Sequence, residues 1–230
     1  MQQERLMVLE KALSGLPGYR GWMIGKCHFS FGREGKPVEA PEHLQQGCHL
    51  DVLRSDQRLV EVEVANPATG DQLRVMLAGA ALKGKNGTDR AAPEAAGSQR
   101  LDKGLDPGQA IAERQQQAVK AKLHQETGGV LLVTLEEIRA YLHASGDSNP
   151  IHRGEAAVVP GFLMVNRILE GYGDCSGASV RFYLPLRCKE PAKLVEQKTG
   201  EHSRTVELFT DRGRILQMKL QEKDEGGEQL

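Results

Sequence analysis

Asp147, Asn149 and His152 stand within six residues of one another in SGDSNPIH, Ser145–His152. A carboxylate and an imidazole this close on a tight turn can converge on one water molecule, one removing a proton while the other delivers one. Asn149 can donate to or accept from that water without changing its own protonation state, and so orient it. A few residues on, Pro160 and Gly161 open an apolar helical run, PGFLMVNRILEGY. The free backbone N–H groups of a helix start can hold negative charge developing on an oxygen. Base, acid, orienter and oxyanion donor therefore lie between Ser145 and Gly161. By composition alone the same segment reads as a turn, because Ser, Gly, Asp, Asn and Pro each favour one.

Other residue groupings suggest other chemistry and carry it less far. GDSN would make Ser148 a nucleophile, but the strand context near the N-terminus and the late Asp-x-x-His of such esterases are missing. Cys27-His28 and Cys48-His49 suggest zinc. Adjacent residues on a strand face opposite ways, however, so each pair offers one ligand at best. His143, Asp147 and His152 form a further possible ligand set, but no metal site is expected.

The elements that must position these groups follow from periodicity. Leu6, Leu9, Ala12 and Leu13 recur at helical spacing before Gly15. GWMIGKCHFSF, HLDVL, RLVEVEVANP and DQLRVMLAGAAL read as strands, the last two joined by the turn NPATGD. After Leu82 the chain is rich in Gly, Ala, Pro and charge, a linker composition, and QAIAERQQQAVKAKLHQE then has helical propensity with a thin apolar face. Gly129–Val133 is a short strand. Thr134 with Glu137 forms a capping box for a helix whose apolar face carries Leu135, Ile138, Tyr141 and Leu142. After the Gly161 helix come four strands, GASVRFYLPL, AKLVEQKT, SRTVELFTD and RILQMKLQ. The class is α+β, with antiparallel strands wrapped around one apolar helix.

The net charge of -1 and interspersed charges leave no basic face for nucleic acid. Four cysteines without a CxxC pair do not make a disulfide scaffold. The charged N-terminus and the absence of any apolar run of membrane length point to a cytoplasmic protein.

YLHASGDSNPIH, Tyr141–His152, resembles the hydratase motif of the MaoC-like, or (R)-specific enoyl-CoA hydratase, family: an aromatic residue, a spacer, then S-G-D-x-N-P-aliphatic-H. VRFYLPL, Val180–Leu186, is similar to that family's R-F-x-x-P strand. The resemblance covers about residues 128–222. It implies a hotdog fold, an antiparallel sheet wrapped around a central helix. It also implies a lyase of fatty acid metabolism that hydrates trans-2-enoyl thioesters or dehydrates (3R)-hydroxyacyl thioesters. Asp147 and His152 would be the acid/base pair, Asn149 the water-orienting residue, and the Gly161 N–H the oxyanion donor.

Phe162, Leu163 and Met164 would line an acyl tunnel, and Arg187 and Lys189, near the sheet edge, are candidates to meet coenzyme phosphates. No cofactor is implied, since coenzyme A or acyl carrier protein carries the substrate. The rival reading is a non-catalytic hotdog that binds acyl thioesters or a partner subunit. Only eight residues separate His152 from Gly161, fewer than in the family, which bears on the shape of the tunnel. Such folds pair edge to edge, as homodimers or as pseudodimers within one chain. The expected organisation is a degenerate hotdog-like half at 1–84, in which residues 18–84 lack a central helix and the motif, a linker with a possible helix at 85–127, the motif-bearing hotdog at 128–222, and a tail at 223–230.

Overall fold

In LVEVEVAN, Val60, Val62 and Val64 are buried while Glu61 and Glu63 between them stay partly exposed. A period of two is what a pleated strand with one covered face requires. The computed structural model describes residues 2–16, 22–32, 47–56, 58–79, 127–172 and 175–223. Its first half contains α1 (Gln2–Ser14), β1 (Trp22–Ser30), β2 (His49–Ser55), β3 (Leu59–Asn66) and β4 (Asp71–Gly79). Its second contains β5 (Thr127–Leu131), α2 (Leu135–Ser145), α3 (Gly161–Leu169), β6 (Cys175–Phe182), β7 (Ala192–Gly200), β8 (Ser203–Thr210) and β9 (Gly213–Glu222). The linker expected over 85–127 lies outside the described residues up to Thr127, where β5 begins, and so do residues 224–230 of the tail.

All nine strands join one antiparallel sheet in the order β2-β3-β4-β1-β6-β9-β8-β7-β5. Within the second half the helices fall between β5 and β6. The α3 helix is buried almost all round, with Phe162, Leu163, Met164, Val165, Asn166, Ile168 and Leu169 inside. A helix apolar on every side belongs in a core, not on a surface. This is the hotdog arrangement expected from the motif.

The first half repeats it. Its strand order β2-β3-β4-β1 matches β7-β8-β9-β6, and α1 precedes β1 as α3 precedes β6. Leu6, Leu9 and Ala12 of α1 are buried, and the helix packs on β2, β3 and β4. The expectation of a half without a helix is thus corrected. The helix lies ahead of the first strand, where a search between strands does not find it. Among the described residues nothing corresponds to β5. The chain is a double hotdog, and its halves meet where β1 pairs with β6, from Lys26↔Arg181 to Ser30↔Gly177. His28 Nδ1 lies 2.8 Å from Ser179 Oγ across that seam. A Cβ on Gly177 would come within 2.5 Å of Phe29 O, so the close approach of the two strands requires glycine.

An ion pair fastens α1 to the sheet. Arg5 Nε donates to Asp71 Oδ2 at 2.9 Å, its Nη2 bonds Asp71 Oδ1, and the same Nη2 donates to Gly32 O at 2.9 Å. The Asp71 carboxylate, only 1% exposed, also accepts from the Gly32 N–H at 3.0 Å and the Thr69 hydroxyl at 2.7 Å. Removing one partner strands a buried charge, which costs far more than the intact pair gains. Arg5→Met is expected to lower unfolding stability by about 3 kcal/mol, read from a shift in the denaturant midpoint at unchanged slope.

Thr134 caps α2 as its spacing with Glu137 implies: Thr134 Oγ1 accepts from the Glu137 N–H at 3.2 Å, and Glu137 Oε2 accepts from the Thr134 N–H at 2.8 Å. Cys27 and Cys48 are buried while the adjacent His28 and His49 are exposed, the opposite facing that strand geometry demands. No helix among the described residues is long and apolar enough to cross a membrane.

Candidate active site

The turn and the site are the same object. The Ser145 hydroxyl accepts from the Asp147 N–H at 3.2 Å, Asp147 Oδ1 from the Asn149 N–H at 2.8 Å, and Asn149 Oδ1 from the Ile151 N–H at 3.3 Å. Each polar side chain thus holds the amide two residues on, the local competition with regular structure that Ser, Asp and Asn are suited to. Gly146 ends α2 with φ +74°, its N–H donating to Leu142 O at 3.0 Å. A Cβ at Gly146 would meet nothing within 4 Å. Gly146→Ala therefore isolates the left-handed backbone penalty and is expected to cost about 1 kcal/mol, measurable by thermal unfolding.

His152 is held from the opposite side. Its Nδ1 lies 2.7 Å from Val158 O. A carbonyl only accepts, so Nδ1 carries the proton and Nε2 is the nitrogen left to do chemistry. The short segment after His152 makes this possible. The Val158 N–H returns to Ile151 O at 2.9 Å, and the Ala157 carbonyl and Val159 N–H bond Cys188 and Leu186, both at 2.8 Å. His152 Nε2 then faces Asp147 Oδ2 at 3.4 Å, with the imidazole 8% and the carboxylate 23% exposed.

Asp147 and His152 open into a cavity of about 610 Å³, and Gly161 lies on its wall. A Cβ on Gly161 would sit 3.2 Å from two carbons of the Phe182 ring and 3.5 Å from Ile24 Cδ1, so a larger residue here would crowd Phe182. Pro160, the residue before α3, makes no side-chain cap. The first N–H groups of a helix have no intrahelical acceptor.

Of the expected tunnel residues, Phe162 and Met164 line the cavity. Leu163 does not; it is 7% exposed and belongs to the core packing. Arg187 and Lys189 also lie off this cavity. Asn149, expected to orient water, has its carboxamide tied to backbone at both ends: Oδ1 takes the Ile151 N–H, and Nδ2 donates to Trp22 O at 2.9 Å. The residue pins the motif to β1 of the other half.

That half supplies much of the wall, through Trp22, Met23 and Ile24 of β1 and Leu77 and Ala78 of β4. It also supplies Glu10 of α1, a cavity-lining residue only 4% exposed. The Tyr141 hydroxyl of α2 donates to Glu10 Oε2. Burial pushes the Glu10 carboxyl up to about 8, the negative charge of Asp147 adds to the rise, and the Tyr141 hydrogen bond opposes it. The same burial and the Glu10 charge push the Tyr141 phenol well above its usual range. A signal for Glu10 exists in the sequence: it falls one helical turn after Leu6, on the face that also carries Leu9 and Leu13.

No protein-family model matches the chain, and no curated protein matches it by sequence. Solved structures do match its fold. HtdX from Mycobacterium tuberculosis superposes with a TM-score of 0.57 at 14% identity, over 96% of this chain and 86% of that one. A second crystal structure of HtdX gives 0.54 at 14% identity, over 94% and 87%. A MaoC-like dehydratase from Phytophthora capsici gives 0.53 at 12% identity, over 94% of this chain and 74% of that one. At such identities the likeness establishes the fold.

Proposed function

We propose that this cavity adds water across trans-2-enoyl thioesters of coenzyme A or acyl carrier protein, or removes it from the corresponding (3R)-hydroxyacyl thioesters. One observation carries the reading. With its Nδ1 proton committed to Val158 O, His152 presents Nε2 to Asp147 Oδ2 across 3.4 Å. When Nε2 is protonated, it faces a carboxylate. When it is not, two acceptors face each other, and a hydrogen-bond donor such as water or a substrate hydroxyl satisfies both.

Hydration then runs as follows. Asp147 Oδ2 takes a proton from the water as its oxygen bonds to Cβ. The C=C electron pair moves to Cα, and charge builds on the thioester oxygen. The Gly161 N–H at the start of α3 stabilises that oxygen, as a preorganised donor does for any developing oxyanion. Protonated His152 delivers its Nε2 proton to Cα. The proton on Asp147 then returns to His152 and restores the pair. Dehydration is the reverse sequence. Asn149 acts as a positioning residue, fixing the Asp147 turn against β1, and Phe162 and Met164 contact the acyl chain.

No electrons are exchanged with a cofactor; coenzyme A or acyl carrier protein is part of the substrate. The resemblance of Tyr141–His152 to the MaoC-like motif and the HtdX-like fold support the same reading. The test is the loss of conjugated enoyl-thioester absorbance when purified protein meets short and medium trans-2-enoyl-CoA. Saturable loss is expected. A flat trace with both those substrates and enoyl-acyl carrier protein counts against catalysis and favours a hotdog that only binds acyl thioesters.

A further inference from the structure

The mechanism above makes no use of Glu10, yet this carboxyl is buried in the wall of the reacting cavity. We propose that Glu10 sets substrate specificity: it reads a hydroxyl or oxo oxygen on the acyl group, so that oxygenated acyl thioesters are preferred over plain alkyl ones. This rests on the acyl-thioester reading of the cavity.

The cavity is lined by exposed residues such as Met23 and Tyr183, at 43% and 42%, and by the buried Glu10, Leu77, His152, Val159, Phe162 and Met164. Leu77, Val159, Phe162 and Met164 suit a hydrocarbon chain. With His152 committed to the reaction, Glu10 is the buried polar group left, and Ser14, one helical turn further along α1, lines the same cavity.

Tyr141 fixes how that carboxyl is presented. Its hydroxyl is bonded to Glu10 Oε2, and Oε1 has no partner among the described residues. Burial lifts the carboxyl to about 8 against the opposing Tyr141 hydrogen bond, so at neutral pH the protonated form predominates and offers an O–H to the cavity. A plain alkyl chain packed there displaces water and leaves that donor unsatisfied, which is costly in a dry site. A hydroxyl or oxo oxygen accepts from it. A neutral carboxyl also carries no charge with which to select a cation. Sites built to hydrogen-bond a substrate group reject the analogue lacking it far more strongly than apolar pockets reject a missing methylene. A leucine at position 10 would fill the same wall without this discrimination.

The test uses binding, so it does not depend on turnover. Octanoyl-CoA and a set of hydroxyoctanoyl-CoA isomers, hydroxylated at successive carbons along the chain, are titrated calorimetrically into three proteins at neutral pH. These are wild type, Glu10→Gln, and Glu10→Leu combined with Tyr141→Phe, the second change sparing the phenol from losing its acceptor. At least one hydroxy isomer is expected to bind wild type about tenfold more tightly than octanoyl-CoA. Glu10→Gln, whose amide still donates, should keep most of that preference, and the double variant should lose it. Equal ratios in wild type and the double variant, or a preference for octanoyl-CoA throughout, overturn the proposal. Failure of every thioester to bind overturns it together with the acyl-thioester reading. Binding with the expected ratios but no turnover refutes only the lyase.

Discussion

Asp147→Asn and His152→Ala are each expected to lower kcat on a trans-2-enoyl thioester by roughly 10²–10⁴-fold, the range that a positioned acid or base contributes. The two variants fail for different reasons. Asparagine at position 147 keeps an oxygen for the Asn149 N–H, which now bonds Asp147 Oδ1 at 2.8 Å, so the turn should survive. The amide group it places toward His152 Nε2 has no carboxylate oxygen to take the proton of water, so the base is lost. Its melting temperature should stay close to wild type while turnover collapses. His152→Ala also loses the bond from Nδ1 to Val158 O and leaves a gap at a residue only 7% exposed. It should therefore lose about 1–3 kcal/mol of stability as well as activity. Rate measurements paired with unfolding curves separate the chemical loss from the structural one.

The second large effect lies in the pH dependence of folding. Burial disfavours the Glu10 charge and lifts its carboxyl from the ordinary 4.5 of an unfolded chain to about 8 in the folded one. Below the lower value both states hold the proton, and Glu10 takes nothing from stability. Between the two values the unfolded chain ionises while the folded one stays protonated. Unfolding then becomes easier as pH rises, by up to about 1.4 kcal/mol per pH unit. Above the folded value the penalty is complete and constant. The groups near Glu10 pull in opposite directions: the Tyr141 hydrogen bond favours its charge and Asp147 repels it, while the buried Cys27 thiol is pushed up chiefly by burial and in part by the same carboxyl. Glu10→Gln removes the titration but keeps an acceptor for Tyr141. The difference in unfolding free energy between Glu10→Gln and wild type should grow in the variant's favour between pH 4.5 and about 8, then level off. A difference that does not change with pH contradicts a neutral buried Glu10.

Much of the architecture was legible because its signals are local. Alternating valines mark β3, Thr134 and Glu137 mark the start of α2, and a helix apolar all round marks α3 as central. The motif placed Asp147 and His152 on one turn, and the structure has them facing one cavity. What escaped is what depends on distant pairing. Nothing in SGDSNPIH tells that Asn149 Nδ2 reaches Trp22 O, more than a hundred residues earlier in the chain. The backbone acceptor of His152 became visible only once the short segment after it folded against Leu186–Cys188. Leu163 was assigned to the tunnel with its neighbours, but the turn of α3 carries it into the core. The spacing of Leu6, Leu9, Ala12 and Leu13 marks α1 as a helix, but not as the helix of the first half, because it stands ahead of all the strands it packs on. Glu10 carries an i+4 signal in a pattern of leucines, but a single glutamate on an apolar face gains meaning only when Tyr141 and the cavity are seen beside it.

The central claim is that the Asp147–His152 pair moves water on and off an acyl thioester whose C–S bond stays intact. Mass analysis of the product after incubation with trans-2-octenoyl-CoA tests it most directly. The expected product is a thioester heavier by one water, absent with Asp147→Asn. Release of free coenzyme A, or recovery of unchanged substrate from both coenzyme A and acyl carrier protein thioesters, would contradict it.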